Sequence, residues 1–202
     1  MISSLLNLFG CSGQEKKMTD GKTDEMQKIF DDFEKRPIYK VLTVDIIKNI
    51  KDENLEQAII DNIQTKFKKD FSNEEEVVRS LSEGQKAIYV TWILEAEVNN
   101  GGFNQFYFNS SGQLADLGQD AFKTIGAIQF ASLVGRADSI YDATKEDLEK
   151  YNDGTIESFS KSYDKNPLND LDDKFYKLYK DEPLNQIKIK YIRDNIKEFV
   201  TE

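Results

Sequence analysis

The side chains best suited to chemistry in this sequence are two carboxylates, Glu95 and Glu97, which stand just before a run of side-chain amides. A carboxylate can act as a general base, and amide N–H groups can stabilise a developing negative charge. One interpretation is therefore a small-ligand or catalytic pocket. The alternative is a buried network in which the amides donate hydrogen bonds to the carboxylates and fix the backbone. The amides are those of Asn99, Asn100, Gln105 and Asn109.

The rest of the sequence does not supply the partners that common enzymes need. The chain has no histidine and one cysteine, Cys11. This composition excludes zinc sites of the Cys/His kind, Ser-His and Cys-His nucleophile pairs, and a disulfide framework. The residues therefore favour a protein that is not an enzyme, with no catalytic residue, no metal and no cofactor.

The residues before the two carboxylates predict a buried helix that ends at a glycine pair. Residues 87–94 leave no continuous polar stripe on a helical wheel, which is typical of a buried helix. Ser82 is positioned to cap its start. Gly101 and Gly102 predict its end, with positive φ at one of them and the last carbonyls satisfied by a glycine cap. A short second helix should then fold back on the first, with three aromatic rings on one face: Phe103, Phe106 and Tyr107.

The two carboxylates need compensation, because the last turn of a helix disfavours negative charge. The nearest predicted donors are the amides and the free backbone N–H groups at the start of the second helix. We therefore expect Asn99 and Gln105 to be at least half buried, with hydrogen bonds to the backbone or to Glu97.

The central motif also resembles a known family. The run E-x-E-V-N-N-G-G-F-x-Q-F-x-x-N-x-x-G spans residues 95–112, and three shorter pieces accompany it: S-x-G-Q at residues 82–85, I-G-A at 125–127, and L-D-x-x-F-Y at 171–176. Together these resemble the bacterial DNA-mimic protein family over about residues 75–200. The motif residues interpreted as structural are Glu95, Glu97, Asn99, Asn100, Gly101, Gly102, Phe103, Gln105, Phe106, Asn109 and Gly112.

The resemblance implies a fold and a partner, and the composition of the preceding residues adds a domain division. The family is named after a member that is acidic, dimeric and all-helical and that binds a DNA-binding transcription factor in place of DNA. It therefore implies a basic protein partner, either a DNA-binding regulator or a toxin, no direct contact with nucleic acid, and a homodimer. The expected division is a flexible tail at 1–22, an N-terminal helical extension packed on the core at 23–73, and a DNA-mimic-like domain at 74–202. The alternative is an accessory helical domain whose motif is purely structural.

Hydrophobic periodicity along the chain independently predicts an all-α fold of about eight helices around the buried central helix. Apolar residues repeat at helical spacing from Leu55 to Phe67, and two adjacent stripes follow the central motif, over residues 114–125 and 130–141. Thr43 is positioned to cap a helix start, and a closing helix pair is separated by Pro183. Residues 142–167 are the least periodic and predict short helices with long connections.

Charge is distributed unevenly along the chain. Residues 1–73 carry 12 basic and 13 acidic residues, whereas residues 74–202 carry 15 basic and 24 acidic residues, a net charge of −9. A surface of this sign repels nucleic acid and attracts basic partners. The alternative interpretation is an acidic surface that only keeps the protein soluble.

Three groups of acidic residues could imitate a row of DNA phosphates. Carboxylates at positions i, i+3 and i+4 of a helix lie on one face, about 5–6 Å apart at Cβ. Interleaved lysines weaken this interpretation, because a mimic needs an acidic face free of compensating cations. The candidate partner-binding residues are Asp142, Glu146, Glu149 and Asp153 in the first group, Asp170, Asp172 and Asp173 in the second, and Asp181 and Glu182 in the third.

The N-terminal ten residues are apolar and lead to Cys11 in a context that faintly resembles a lipoprotein cleavage box. No lysine or arginine precedes Lys16, and the apolar part is short for a secretory signal. We therefore expect a flexible tail and a cytoplasmic protein, with lipid anchoring through Cys11 as the alternative. No stretch approaches the roughly 20 apolar residues that a membrane span requires.

Overall fold

The computed structural model describes residues 27–28, 30–164 and 166–201. These residues form α-helices and short 3-10 helices with no strand, so the predicted all-α class is confirmed. The predicted tail at 1–22 and Cys11 lie outside the described residues. No described helix is long and apolar enough to cross a membrane.

The helices follow one another with short connections. Residues 30–34 are helical and precede the first labelled helix. Three 3-10 helices lie at Ser110–Leu114, Glu149–Tyr151 and Ile196–Phe199. The labelled α-helices are α1 (Val44–Asn49), α2 (Asp52–Gln64), α3 (Glu74–Ser80), α4 (Glu83–Phe108), α5 (Ala115–Ile125), α6 (Ile128–Leu148), α7 (Ile156–Lys161), α8 (Asn169–Leu178) and α9 (Leu184–Asp194).

Local capping signals set several of these boundaries. The Thr43 hydroxyl accepts a hydrogen bond from the Ile46 backbone N–H, and the Ser82 hydroxyl accepts one from Gln85, both at 3.2 Å. Both residues therefore cap helix starts, as predicted. Gly126 ends α5 with a left-handed conformation at φ 89°, which glycine adopts without a steric penalty.

Two predicted boundaries are wrong. α6 runs to Leu148, so it occupies the first part of the stretch in which only short helices were expected. Its last turns are largely exposed, and a solvated helix of this kind leaves a weak apolar periodicity in the sequence. At the other end, the apolar repeat from Ile189 to Val200 predicts one closing helix, but α9 stops at Asp194 and a separate 3-10 helix follows.

Helix α4 lies at the centre of one hydrophobic core. Its residues Ile88, Val90, Leu94 and Val98 are fully buried. Residues from the predicted extension belong to the same core, including Ile47 of α1. A reciprocal pair of hydrogen bonds joins the segment before α1 to the residues after the last 3-10 helix: Leu42 N–H donates to the Thr201 hydroxyl at 2.8 Å, and Thr201 N–H donates to the Leu42 carbonyl at 2.9 Å. The boundary at residue 73 stays a prediction.

Candidate functional site

Helix α4 is kinked at the predicted glycine pair. Gly101 has φ −153° and ψ 25°, and Gly102 has φ 74° and ψ −178°, so neither is helical. The predicted positive φ is therefore confirmed at Gly102. The span Glu83–Phe108 therefore consists of two helices joined at this kink, and the predicted short second helix after the glycine pair is confirmed.

Side chains from residues 163–176 satisfy the backbone groups that the kink releases. The Tyr176 hydroxyl donates to the Val98 carbonyl, and the Tyr163 hydroxyl donates to the Gly101 carbonyl, both at 2.8 Å. On the far side of the kink, the Phe103 N–H donates to Asp172 Oδ1 at 2.9 Å. The expected glycine cap is therefore wrong, because distant side chains supply the partners.

The close approach of Asp172 explains why a glycine stands at position 102. A Cβ atom on Gly102 would lie 2.2 Å from Asp172 Oδ2, and its φ of +74° would strain any other residue. Two buried rings pack beside this contact: those of Phe103 and Phe175 meet edge to face at 5.7 Å between centroids. The N-N-G-G-F run and the L-D-x-x-F-Y run thus form one structural unit.

Glu97 is held by a network of protein donors, as the structural interpretation expects. Its Oε2 accepts hydrogen bonds from Gln105 at 2.7 Å and Asn109 at 2.9 Å. Its Oε1 accepts one from the Ser111 hydroxyl at 3.0 Å. The free backbone N–H groups after the kink were also expected to compensate these carboxylates, but the Phe103 N–H binds Asp172 instead.

Glu95 has different partners from those expected. Its Oε1 accepts a hydrogen bond from the Tyr179 hydroxyl at 2.8 Å, and its Oε2 lies 2.6 Å from the ammonium of Lys188. Lys188 is 2% exposed and also pairs with Glu56 of α2. Burial alone would lower the pKa of Lys188, but the charges of Glu56 and Glu95 outweigh it and raise that pKa above its ordinary value.

The expected burial of Asn99 is wrong. Asn99 and Asn100 are both exposed, because Val98 takes the core-facing position of that turn. The Asn99 amide donates to the Tyr179 hydroxyl at 2.9 Å, so it supports the partner of Glu95 instead of binding Glu97.

Sequence reasoning missed a buried amide on the second side of the kink. Asn104 is 3% exposed and donates to the Ser162 hydroxyl at 2.7 Å. Its Oδ1 accepts from the Asn166 amide at 2.8 Å, and Asn166 Oδ1 in turn accepts from the Leu168 N–H. This network ties α4 to the segment between α7 and α8. The signal in the sequence was the position of this amide residue, which stands among the three aromatic residues of that short helical stretch.

The corner has the geometry of a structural network. All four carboxylate oxygens of Glu95 and Glu97 accept hydrogen bonds from the protein. Two surface cavities, of about 270 and 610 Å³, lie instead beside Tyr39 and Asn49 in the N-terminal part. Within the described residues, no group of three or more metal-ligating side chains comes together.

The first predicted acidic group contains an exposed row. Asp142, Glu146 and Glu149 are exposed, and no described lysine or arginine lies within ion-pair distance of them. We call these three residues the acidic row. Asp153 differs from them, because its carboxylate accepts hydrogen bonds from Thr155 and Ser158 at the start of α7.

Two residues of the other predicted acidic groups face the protein itself. Asp172 caps the backbone at the kink, and burial raises its pKa. Glu182 accepts hydrogen bonds from the backbone N–H groups of Gln129 at 3.0 Å and Phe130 at 3.2 Å, so it caps α6. The remaining members are exposed: Asp170, Asp173 and Asp181.

An acidic residue that the candidate set omitted lies beside the acidic row. Asp138 stands one turn before Asp142 on α6 and accepts a hydrogen bond from the Tyr107 hydroxyl at 2.6 Å. Burial, followed by the negative charges of Asp142 and Asp116, raises the pKa of Asp138 despite that hydrogen bond. Arg79 partly neutralises Asp116 through two hydrogen bonds of 2.9 Å. The i, i+4 spacing from Asp142 was the signal that could have identified Asp138.

Comparison with known proteins identifies the family. The model of one protein family, described as DMP19-like protein, matches residues 79–195. A search of curated proteins and a search of solved structures each found no match. The matched range covers more than half of the chain and contains the kink, the acidic row and the segments that pack on the kink. The chain therefore belongs to the DMP19-like protein family, a family of DNA-mimic proteins.

Proposed function

We propose that this protein is a non-catalytic interaction protein that imitates DNA and binds a basic, DNA-binding protein through the acidic row. The main support for the proposal is that Asp142, Glu146 and Glu149 are exposed and take part in no described ion pair. Membership of a DNA-mimic family supports the class of partner.

The spacing of the row suits this role. Asp142 and Glu146 are four residues apart on α6, and Glu149 keeps a helical conformation at φ −58° and ψ −25°. The helix rises 1.5 Å per residue, so the row extends over about 10 Å. DNA carries one phosphate per 3.4 Å of axis on each strand, so this length corresponds to about three phosphate steps. The row therefore presents charge at a density that a phosphate-binding surface can accept.

Two lysines, Lys145 and Lys150, are interleaved with the row or adjoin it. Lys150 pairs with Asp147, which lies outside the row. Unpaired exposed carboxylates keep their full charge towards a partner, and oppositely charged surfaces associate faster.

The test is competition between duplex DNA and this protein for a captured partner. The full chain is immobilised and exposed to nuclease-treated extract of its own cells, and bound proteins are eluted with short duplex DNA. We expect DNA-binding proteins in the DNA eluate from the wild type. The double variant Glu146→Lys/Glu149→Lys should capture them more weakly and with a smaller dependence on salt, because fewer charge contacts remain.

A matched control distinguishes the effect of changing the acidic row from the effect of changing the net charge. The variant Glu53→Lys/Asp194→Lys makes the same charge change at exposed residues of α2 and α9, so it should capture the partner as the wild type does. Equal capture by the row variant, or a captured protein that duplex DNA never displaces, would contradict the proposal. The identity of the eluted protein distinguishes a transcriptional regulator from a nuclease-like toxin. The homodimer implied by the family resemblance stays a prediction.

A further inference from the structure

The step from Asn100 to Gly101 places two groups that can react with each other at the kink. The side-chain amide of an asparagine can be attacked by the backbone nitrogen of the following residue, because the two atoms close a five-membered ring. Glycine favours this attack, since it has no Cβ to crowd the nitrogen or to restrict the backbone. Asn100 is the only asparagine in the sequence that a glycine follows. At this step the reaction therefore meets the least steric resistance.

The structure leaves the Asn100 amide accessible and free to rotate. Asn100 is exposed. Two other amides of the motif are engaged as donors: Asn99 donates to the Tyr179 hydroxyl, and Asn109 donates to Glu97. Within the part of the chain that the structure describes, no hydrogen bond holds the Asn100 amide. Its Cγ atom can therefore turn towards the backbone without losing a protein contact.

The kink also lifts the protection that a regular helix gives to its backbone. Helical hydrogen bonds hold each backbone nitrogen away from the preceding side chain and oppose ring closure. Gly101 has φ −153° and ψ 25°, and Gly102 has φ 74°, so the two residues after Asn100 are not helical. The helix therefore stops constraining the chain directly after the reactive side chain.

One contact still restrains the attacking residue. The Tyr163 hydroxyl donates to the Gly101 carbonyl at 2.8 Å and fixes the peptide plane that follows the attacking nitrogen. Ring closure needs a rotation about the bond between Cα and the carbonyl carbon of Asn100, which moves Gly101 relative to the residues packed around it. The hydrogen bond from Tyr163 opposes this movement, so it slows the reaction in the folded chain.

A second step before a glycine is held by its contacts. Asp153 precedes Gly154, and an aspartic acid can form the same ring by losing water from its carboxyl group. Its carboxylate accepts hydrogen bonds from the Ser158 hydroxyl and from Thr155. These hydrogen bonds lower the pKa of Asp153, and an ionised carboxylate is a poor electrophile. Of the two steps, the one at the kink is therefore the reactive one.

We propose that Asn100 deamidates spontaneously in the folded protein and that the Tyr163 hydrogen bond slows this reaction. The Gly101 nitrogen forms a bond to Cγ of Asn100 and loses its proton. The bond from Cγ to the side-chain nitrogen breaks, and that nitrogen leaves as ammonia. Water then opens the cyclic imide at either of its two carbonyls, which gives aspartate or iso-aspartate.

Both products change the corner that the motif builds. Each adds a negative charge three residues after Glu97, in the last turn of a helix, where negative charge is unfavourable. Iso-aspartate also adds one carbon to the backbone just before the kink. The inference is separate from the proposed DNA mimicry, because it concerns the kink and needs no partner.

The test follows the full chain during incubation at neutral pH, with a parallel sample unfolded in guanidinium chloride. Samples are digested at intervals and compared with the start by mass spectrometry, and isoaspartyl methyltransferase labels the iso-aspartate product. In the folded chain we expect both products at Asn100 before any appear at Asn109 or Asn169. The amides of those two residues donate to Glu97 and to the Tyr163 carbonyl. A folded chain that stays intact at Asn100 while the unfolded chain is converted there would overturn the proposal.

Two variants separate the chemistry from its setting. Asn100→Gln keeps an exposed amide but would have to close a six-membered ring, so it should stay intact at this position. Tyr163→Phe keeps the ring that packs edge to face on Phe159 and removes the hydrogen bond to Gly101. It should deamidate about 5-fold faster than the wild type, the factor to which one ordinary hydrogen bond corresponds.

The unfolded samples provide the control for Tyr163→Phe. In guanidinium chloride this variant and the wild type should react at the same rate, because neither has the hydrogen bond there. Equal rates of the two folded chains would contradict the restraint by Tyr163. Conversion of Asn100→Gln at the rate of the wild type would exclude the five-membered ring and with it the proposed reaction.

Discussion

Asp172 accepts a hydrogen bond from the backbone N–H of Phe103 at 2.9 Å, across 69 residues of sequence. This contact joins two segments that belong to the family motif and lie far apart in the chain. Phe103 is fully buried, so its N–H has no access to water and needs a protein partner. Asp172 is therefore part of the structure of the kink, although its position in an acidic stretch of the sequence suggested a surface charge.

The first prediction concerns Gly102. Replacing it with alanine should lower the free energy of unfolding by about 1–3 kcal/mol, because the residue must keep φ at 74° and its Cβ would meet the Asp172 carboxylate. Urea unfolding measures the loss. Gly101→Ala separates the two causes, because its φ of −153° is free of strain while its Cβ would displace the Gln105 side chain that binds Glu97. A Gly102→Ala variant as stable as the wild type would show that the kink tolerates a side chain.

The second prediction concerns the cap that Asp172 provides. Asp172→Ala leaves the Phe103 N–H without its partner and should lower the free energy of unfolding by about 0.5–2 kcal/mol. Asp173→Ala removes the same charge from the exposed neighbouring residue and should stay within about 0.5 kcal/mol of the wild type. Thermal or urea unfolding of both variants checks the difference. Equal stabilities would mean that the hydrogen bond contributes nothing.

The third prediction concerns the buried ion cluster of Lys188, Glu56 and Glu95. Lys188→Met removes the only cation of this cluster and leaves two largely buried carboxylates, so the free energy of unfolding should fall by about 3–5 kcal/mol. Adding Glu56→Gln and Glu95→Gln should recover part of the loss, because the uncompensated charges are then gone. Lys190→Met breaks an exposed pair with Asp194 and should cost at most about 1 kcal/mol. Similar losses from Lys188→Met and Lys190→Met in urea titrations would rule out this account.

The fourth prediction concerns pH and Asp138. Burial raises the pKa of Asp138 in the folded protein, so the folded chain holds a proton that the unfolded chain releases between the ordinary pKa and the raised one. Its contribution to stability is present below the ordinary pKa and is lost as pH rises through the raised pKa. Asp138→Asn has no such titration.

The stability of Asp138→Asn relative to the wild type should therefore increase as pH rises from about 4. Unfolding measured over a pH series gives this difference directly. A difference between Asp138→Asn and the wild type that is constant over pH would exclude the raised pKa.

The sequence alone determined the elements of this fold that depend on neighbouring residues. Apolar periodicity identified the helices, and the hydroxyls of Thr43 and Ser82 marked two helix starts because a cap binds an N–H only three residues away. The position of the bend followed from Gly102, since the conformational freedom of glycine is a property of the residue itself.

Only the tertiary structure decided what each charged residue does. Lys188 lies 93 residues from Glu95, and no local pattern indicates that the two form a buried ion pair. The same limit applies to the acidic residues: Asp172 and Glu182 cap distant backbone groups, whereas Asp142 and Glu146 remain exposed. All four side chains are carboxylates, so the sequence alone does not distinguish their roles. Packing separated them, because the long-range arrangement of the helices determines which carboxylates meet an unpaired N–H and which meet only solvent.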